Sequence, residues 1–122
     1  MTQEPDKQLV KDWIAALRSG NYAQTYGFMH TSEGFCPFGV LCSLVDPDGW
    51  VVDNIRDGNI IYAFQSEEGT LSTWLLPDSI YDRIGFNRNY EDYLFRLSDR
   101  YHVSFDQIAD YIENLYFGNT KD

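Results

Sequence analysis

The sequence predicts an α+β fold in which a small antiparallel sheet packs against helices from both ends of the chain. Apolar residues recur at helical spacing near each end, in residues 5–18 and 104–115. Between these segments lie short β-branched runs separated by glycine-containing turns, which are typical of hairpins. The 122 residues suit one hydrophobic core, and 43% of them are hydrophobic, so we expect a single domain over residues 1–122.

The first half of the chain predicts a long helix, an irregular strand and a short helix. Residues 5–18 form the first helix, which ends where Gly20 supplies a left-handed cap. Its apolar stripe consists of Leu9, Val10, Trp13, Ile14 and Leu17. Residues 22–30 are predicted as a strand, in which Gly27 marks a bulge or a close approach. Pro37 opens a short helix that extends to Leu44.

The middle of the chain predicts the strands of the sheet. A turn at residues 46–49 leads into a strand that begins at residues 50–52. Residues 60–65 and 71–76 read as two further strands joined by a hairpin loop. These strands follow one another closely, so we expect them to pair antiparallel.

Three helices complete the predicted fold. A short one opens at Pro77 and ends near Gly85, and a second covers residues 90–100. Ser104 and Gln107 match a capping box at the start of the last helix. The residues expected to face the core are Tyr93, Leu94, Leu97, Ile108, Ala109, Ile112 and Leu115.

Charge and composition exclude several classes of function. The net charge is −10, which disfavours direct binding to DNA or RNA because such binding needs a basic patch. No apolar run approaches the ~20 residues that span a bilayer, so we expect no membrane insertion. The polar start of the chain lacks the pattern of a signal peptide, and two cysteines are too few for a disulfide scaffold. These features predict a cytoplasmic protein with reduced thiols.

The segment GFCPFGVLCSLVDPDGW, residues 34–50, contains both cysteines. Cys36 and Cys42 are too far apart in sequence for a zinc clamp, and the chain has only His30 and His102 as further nitrogen ligands. We therefore predict no metal site and no cofactor, and interpret both thiols as interior packing. A weaker alternative makes Cys36 a nucleophile at a helix N-terminus with His102 as its base, as in a thiol-dependent hydrolase.

Two segments, WIAALRSGNYAQ at residues 13–24 and GFCPFGVLCSL at residues 34–44, resemble a family of small phage, prophage and bacterial proteins. The family pattern is W-x-x-A-L-R-S-G-x-Y-x-Q followed by G-[FY]-C-C-L-G-V-L-C-D-L. Its later LP and SF-x-x-IA-D-x-I signatures also occur here, at residues 76–77 and 104–112. The sequence departs from the pattern at Pro37, Phe38 and Ser43, where the family usually has Cys, Leu and Asp. The resemblance implies a phage or prophage origin, with roles in host takeover or defence evasion.

The sequence favours binding over catalysis. Nine tyrosines and the acidic excess suit a surface that recognises a basic face of a host or defence protein, which the protein would inhibit or redirect. The predicted contact residues are Tyr90, Tyr93, Asp106, Asp110, Tyr111 and Glu113. A homo-oligomer is compatible with the same features.

A small-molecule binder is the main alternative, for instance a sponge for a nucleotide signal. Tyrosine or tryptophan would then stack on the base and arginine would contact the phosphates. The arginines available for that role are Arg18, Arg56, Arg83, Arg88, Arg96 and Arg100.

Overall fold

The computed structural model describes residues 5–86 and 88–118, and it confirms the predicted α+β fold. Within these two stretches the chain forms five helices and five strands. The helices are α1 (Lys7–Arg18), α2 (Pro37–Val45), α3 (Asp78–Arg83), α4 (Arg88–Asp99) and α5 (Phe105–Phe117). The strands are β1 (His30–Thr31), β2 (Gly34–Phe35), β3 (Trp50–Arg56), β4 (Asn59–Gln65) and β5 (Leu71–Ser72).

Strand β4 is the centre of the antiparallel sheet. It pairs with β3 over its length, from Trp50 opposite Phe64 to Arg56 opposite Asn59. Its other edge is shared by β1 and β5, which pair with successive parts of β4. Strand β2 then pairs with β1, so the path through the sheet is β2-β1-β4-β3.

The core lies where α1, α2 and α5 meet. All five members of the predicted α1 stripe are buried, and Trp13 is 0% exposed. The indole N–H of Trp13 donates to the Pro37 carbonyl at 2.8 Å, which ties α1 to the first turn of α2. Gly39 of α2 lies against the backbone of Met29, and a Cβ there would collide with the Met29 carbonyl oxygen.

Side-chain caps fix the ends of the two long terminal helices. Asp6 accepts a hydrogen bond from the Leu9 N–H at 3.0 Å, so α1 begins after Asp6. Gly20 has φ of 78°, which confirms the left-handed residue predicted after α1. Ser104 accepts from the Gln107 N–H at 3.3 Å, as the capping box at the start of α5 predicts.

The predicted strand over residues 22–30 is wrong. In this segment only the bridge from Gln24 to Phe35 and the start of β1 have sheet pairing. The reason is that the backbone bonds of the segment go to separate partners: Thr25 N–H donates to Phe35 and Met29 N–H donates to Thr73. Gly27 has φ of 90° with open space around it, so it marks a turn of the chain and not a close approach.

Two further expectations need correction. The strand predicted over residues 71–76 stops at Ser72, because the chain bends at residues 73–75 to bury Leu76. Tyr93 is 43% exposed and does not face the core, although Leu94 beside it is fully buried. Leu97 and Leu115 pack against the core as predicted, although each is only half-buried.

Candidate functional site

Helices α4 and α5 bring three of the predicted contact residues together. The rings of Tyr93 on α4 and Tyr111 on α5 lie 5.0 Å apart at 51°. The pKa of Tyr111 is raised, first by burial and then by the neighbouring Tyr93 and Tyr90. Tyr90 and Tyr93 keep 39% and 43% of their surface exposed. We call Tyr90, Tyr93 and Tyr111 the tyrosine cluster.

The buried face and the N-terminal cap of α5 determine where the tyrosine cluster lies. Ile108, Ala109 and Ile112 are fully buried, so the helix presents the neighbouring Tyr111 towards α4. The Ser104 cap fixes where α5 begins, and therefore which residue takes that position.

Two of the three predicted acids, Asp110 and Glu113, lie on the side of α5 that faces α1. Asp110 and Glu113 both bind the Arg18 guanidinium of α1, at 2.6 Å and 2.9 Å. Asp106 is exposed in the first turn of α5. The prediction treated all three acids as free to meet a partner, but the structure uses two of them to join α5 to α1. No local pattern predicts this contact, since Arg18 and Asp110 are 92 residues apart.

Both cysteines are enclosed by the core, as free thiols. Burial raises the pKa of the Cys36 thiol to about 12, although the N–H groups of Gly39 and Phe38 act in the opposite direction. Cys42 has its pKa raised by burial and by Cys36, and its sulfur lies 4.0 Å from that of Met29. A nucleophilic thiol needs access and a lowered pKa, so this environment is that of packing groups.

The two histidines lie in separate aromatic contacts. His102 stacks on Tyr26, with the two ring centroids 3.9 Å apart. The charged group that acts on Cys36 is the carboxylate of Asp99, which raises the pKa of the thiol. His30 stacks on Phe35 of β2 and on Tyr62 of β4, because β1 lies between those strands. Among the described residues, no group of three or more His, Cys, Asp or Glu is placed to hold a metal ion.

The positions where the sequence departs from the resembled pattern have packing roles here. Pro37 begins α2 and its carbonyl accepts from Trp13. Phe38 is 1% exposed, with its ring 6.4 Å from that of Trp13. Ser43 accepts a hydrogen bond from the indole N–H of Trp50 at 2.9 Å, which links α2 to β3.

A cleft of about 550 Å³ opens between the turn before β3, the loop after β4, and α3. Asp46, Asp48 and Glu67 line it together with a single cation, Arg83. Arg83 already pairs with Asp6 at 3.0 Å. This excess of carboxylates repels phosphate groups, so the cleft does not suit a nucleotide.

Half of the six arginines that a nucleotide site would use are engaged within the chain. Arg18, Arg83 and Arg96 each form an ion pair with a carboxylate of this chain. The others are Arg56 on the β3–β4 hairpin, Arg100 beside the Tyr101 ring, and Arg88, whose side chain lies outside the described residues.

Comparison with protein families matches residues 6–116 to a domain of unknown function, DUF8296. The chain belongs to the DUF8296 family. The match covers every helix and strand described above except the last residue of α5. No curated protein and no solved structure matches this DUF8296 chain significantly. In the part of the chain that the structure describes, no helix has both the length and the apolar character needed to cross a bilayer.

Proposed function

We propose that this DUF8296 chain is a non-catalytic binding protein whose tyrosine cluster, together with Asp106, docks against a basic surface of another protein. The observation that carries the proposal is the meeting of Tyr90, Tyr93 and Tyr111 at a partly exposed junction of α4 and α5. Tyrosine joins a wide apolar ring to a polar hydroxyl, and such residues dominate the binding energy of protein interfaces.

Electrostatics supports a basic partner. The chain carries 19 acidic residues against 9 basic ones, so its long-range field attracts positive surfaces. Asp106 adds a local exposed carboxylate on the helix that presents Tyr111. Asp110 remains 68% exposed and Glu113 51% exposed beside Arg18, so both contribute to the field although they are engaged within the chain.

The biological setting that we propose is the cytoplasm of a bacterial host, where a phage or prophage protein inhibits or redirects a host or defence protein. The support is the resemblance of residues 13–24 and 34–44 to small phage and prophage proteins. The buried, weakly acidic thiol of Cys36 is consistent with a mode of action that involves no bond-making by that residue.

The test begins by placing a photo-crosslinking phenylalanine analogue at Tyr93 and, as a matched control, at Tyr101. Tyr101 is 63% exposed but lies outside the tyrosine cluster. Exposure of bacterial lysate to each protein should give a crosslinked partner from position 93 and none from position 101. Equal crosslinking from both positions would show that the cluster is not the contact.

The captured partner is then purified and titrated with variants. Tyr90→Ala combined with Tyr93→Ala should weaken binding by about tenfold or more, since tenfold corresponds to about 1.4 kcal/mol and truncation of a single hot-spot residue costs about 2 kcal/mol or more. Asp106→Lys should weaken binding further and reduce its dependence on salt. Tyr101→Ala should bind like the parent protein. An affinity that survives the tyrosine substitutions contradicts the proposal, provided that circular dichroism shows an unchanged fold.

A further inference from the structure

The outer edges of β2 and β3 differ in their backbone hydrogen bonding. The outer edge of β2 is closed, because the Phe35 N–H donates to the Ala23 carbonyl at 2.8 Å and the Phe35 carbonyl accepts from Thr25 at 2.8 Å. Strand β3 has β4 as its only partner among the described strands. Alternate residues of β3 therefore present backbone donors and acceptors at the opposite edge, although the Ile55 N–H already donates to the Asn54 side-chain oxygen at 2.8 Å.

The open edge also carries exposed apolar side chains. Val52 is 60% exposed and Ile55 is 64% exposed. The register places both on one face of the sheet, opposite Tyr62 and Ile60 of β4. Single β-branched residues on a surface are ordinary, but two of them on an open strand favour pairing with another strand.

An irregularity within β3 restricts how another strand can pair with this edge. The register shifts between Val52 and Asn54, and such an irregularity increases the local twist of a strand. The strand has no proline and no lysine, the residues that most often protect an edge. The edge is therefore restricted in geometry but is not blocked.

The charges of β3 identify the strand that fits it. Asp53 and Arg56 are exposed, and neither forms an ion pair with another described residue. They make the strand neutral within a chain of net charge −10. A uniformly basic strand would meet Arg56 and a uniformly acidic one would meet Asp53. A second copy running antiparallel reverses the order of the two charges, and so brings Asp53 of each copy towards Arg56 of the other.

We propose that the outer edge of β3 is the docking site for a second copy of this chain. The two β3 strands pair antiparallel about a twofold axis, and the sheet of five strands in each copy continues through the dimer. A seven-residue edge buries less than the ~800 Å² per partner of a standard interface, so the dimer is reversible and depends on concentration. This surface is separate from the tyrosine cluster and needs no other partner.

The experiment is sedimentation velocity of the full chain across a range of concentrations, at low and at high salt. Association should strengthen with salt, because screening removes the repulsion between two copies that each carry −10. Hydrogen exchange at high concentration should show slower exchange of β3 amides. Ile55→Lys should lower the association constant about tenfold or more, since it removes apolar contact and places like charges near the axis.

Leu71→Lys is the matched control, because Leu71 is 53% exposed on β5, away from the open edge. It should associate like the parent protein, and both variants should keep the parent circular dichroism spectrum. A monomer at every concentration and salt would overturn the proposal. So would a dimer that Ile55→Lys leaves intact, or one that Leu71→Lys weakens equally. The Tyr90→Ala and Tyr93→Ala substitutions should leave self-association unchanged, so this test and that of the partner surface fail separately.

Discussion

The α1–α2–α5 core and the β3–β4 hairpin are both rich in apolar residues, yet they bury them to very different degrees. Trp13, Cys42 and Ile112 in the core are 0% exposed, whereas Val52 and Ile55 on the hairpin are more than half exposed. The difference lies in the neighbours. Each core helix packs its apolar stripe against another helix, while β3 has β4 on one side and an open edge on the other. Apolar character alone therefore does not decide burial.

The largest contrast should come from the same truncation at two tryptophans. Trp13→Ala should cost about 3–5 kcal/mol, because it leaves a cavity at the centre of the core and removes the hydrogen bond to the Pro37 carbonyl. Trp74→Ala should cost about 1 kcal/mol, since Trp74 is 47% exposed and contacts chiefly the Phe95 ring. Urea unfolding followed by circular dichroism measures both. Similar losses at the two positions would contradict the contrast in packing.

Replacing one glycine by alanine in the core and one in the hairpin tests the same comparison at the backbone. Gly39→Ala should destabilise the protein by about 1–3 kcal/mol or more, because the added methyl meets the Met29 carbonyl. Helix propensity alone predicts the opposite sign, a gain of about 0.8–1.0 kcal/mol. Gly58→Ala in the hairpin turn has open space but φ of 82°, so it should cost about 1–2 kcal/mol through backbone strain. A stabilised Gly39→Ala protein, measured by thermal unfolding, would show that α2 is not pressed against residue 29.

Burial of the Cys36 thiol in the core should make the free energy of unfolding depend on pH. The pKa of Cys36 is raised to about 12 in the fold, above its ordinary value near 9. Below pH 9 the thiol is protonated in both states and its contribution is fully present. Above pH 9 the unfolded chain loses the proton first, so this thiol should lower stability by about 1.4 kcal/mol per pH unit up to pH 12.

Cys36→Ala tests that slope, because it removes the titrating group. The variant should lose stability more slowly than the parent between pH 9 and pH 11 when both are unfolded with urea. Both native thiols should also resist a thiol-directed reagent at pH 8 and react fully after denaturation. Rapid labelling of native Cys36 would show that the core opens readily and would revive the nucleophile hypothesis.

Local signals in the sequence predicted much of the helical layer. The stripe of α1, the left-handed Gly20 and the Ser104 cap depend on residues a few positions apart, and all three are found in the structure. The strand prediction for residues 22–30 was wrong because the backbone partners of this segment lie elsewhere in the chain. The turn at residues 46–49 predicted where β3 begins, but whether a strand lies at the edge or the centre of a sheet depends on the other strands of the chain.

In the candidate site too, local features were predicted and contacts between distant segments were not. Helical spacing correctly placed Asp106, Asp110 and Glu113 away from the buried stripe of α5. The contact between Tyr93 and Tyr111 required the packing angle of two helices, which no local pattern contains. The exposed pair Val52 and Ile55 was missed because the strand was recognised without its position in the sheet.

The smallest contrast concerns charge at the two regions. Arg18 bridges α1 to Asp110 and Glu113 of α5, so Arg18→Gln should cost about 0.2–1 kcal/mol at low salt and less at high salt. Arg56→Gln on the hairpin should leave monomer unfolding unchanged within about 0.5 kcal/mol, because Arg56 forms no ion pair with another described residue. Urea unfolding of dilute protein at two salt concentrations measures both.

Arg56→Gln nevertheless has a predicted effect at high concentration. It removes the charge that Asp53 of a second copy would meet, so the association constant should fall about two- to fivefold while the monomer stays equally stable. Arg18→Gln should leave association unchanged, because Arg18 lies over the core layer and away from β3. An Arg56→Gln protein that unfolds earlier as a monomer would mean that the hairpin already uses this charge within one chain. The pair of substitutions thus separates a charge that holds the fold together from one that is available to a neighbour.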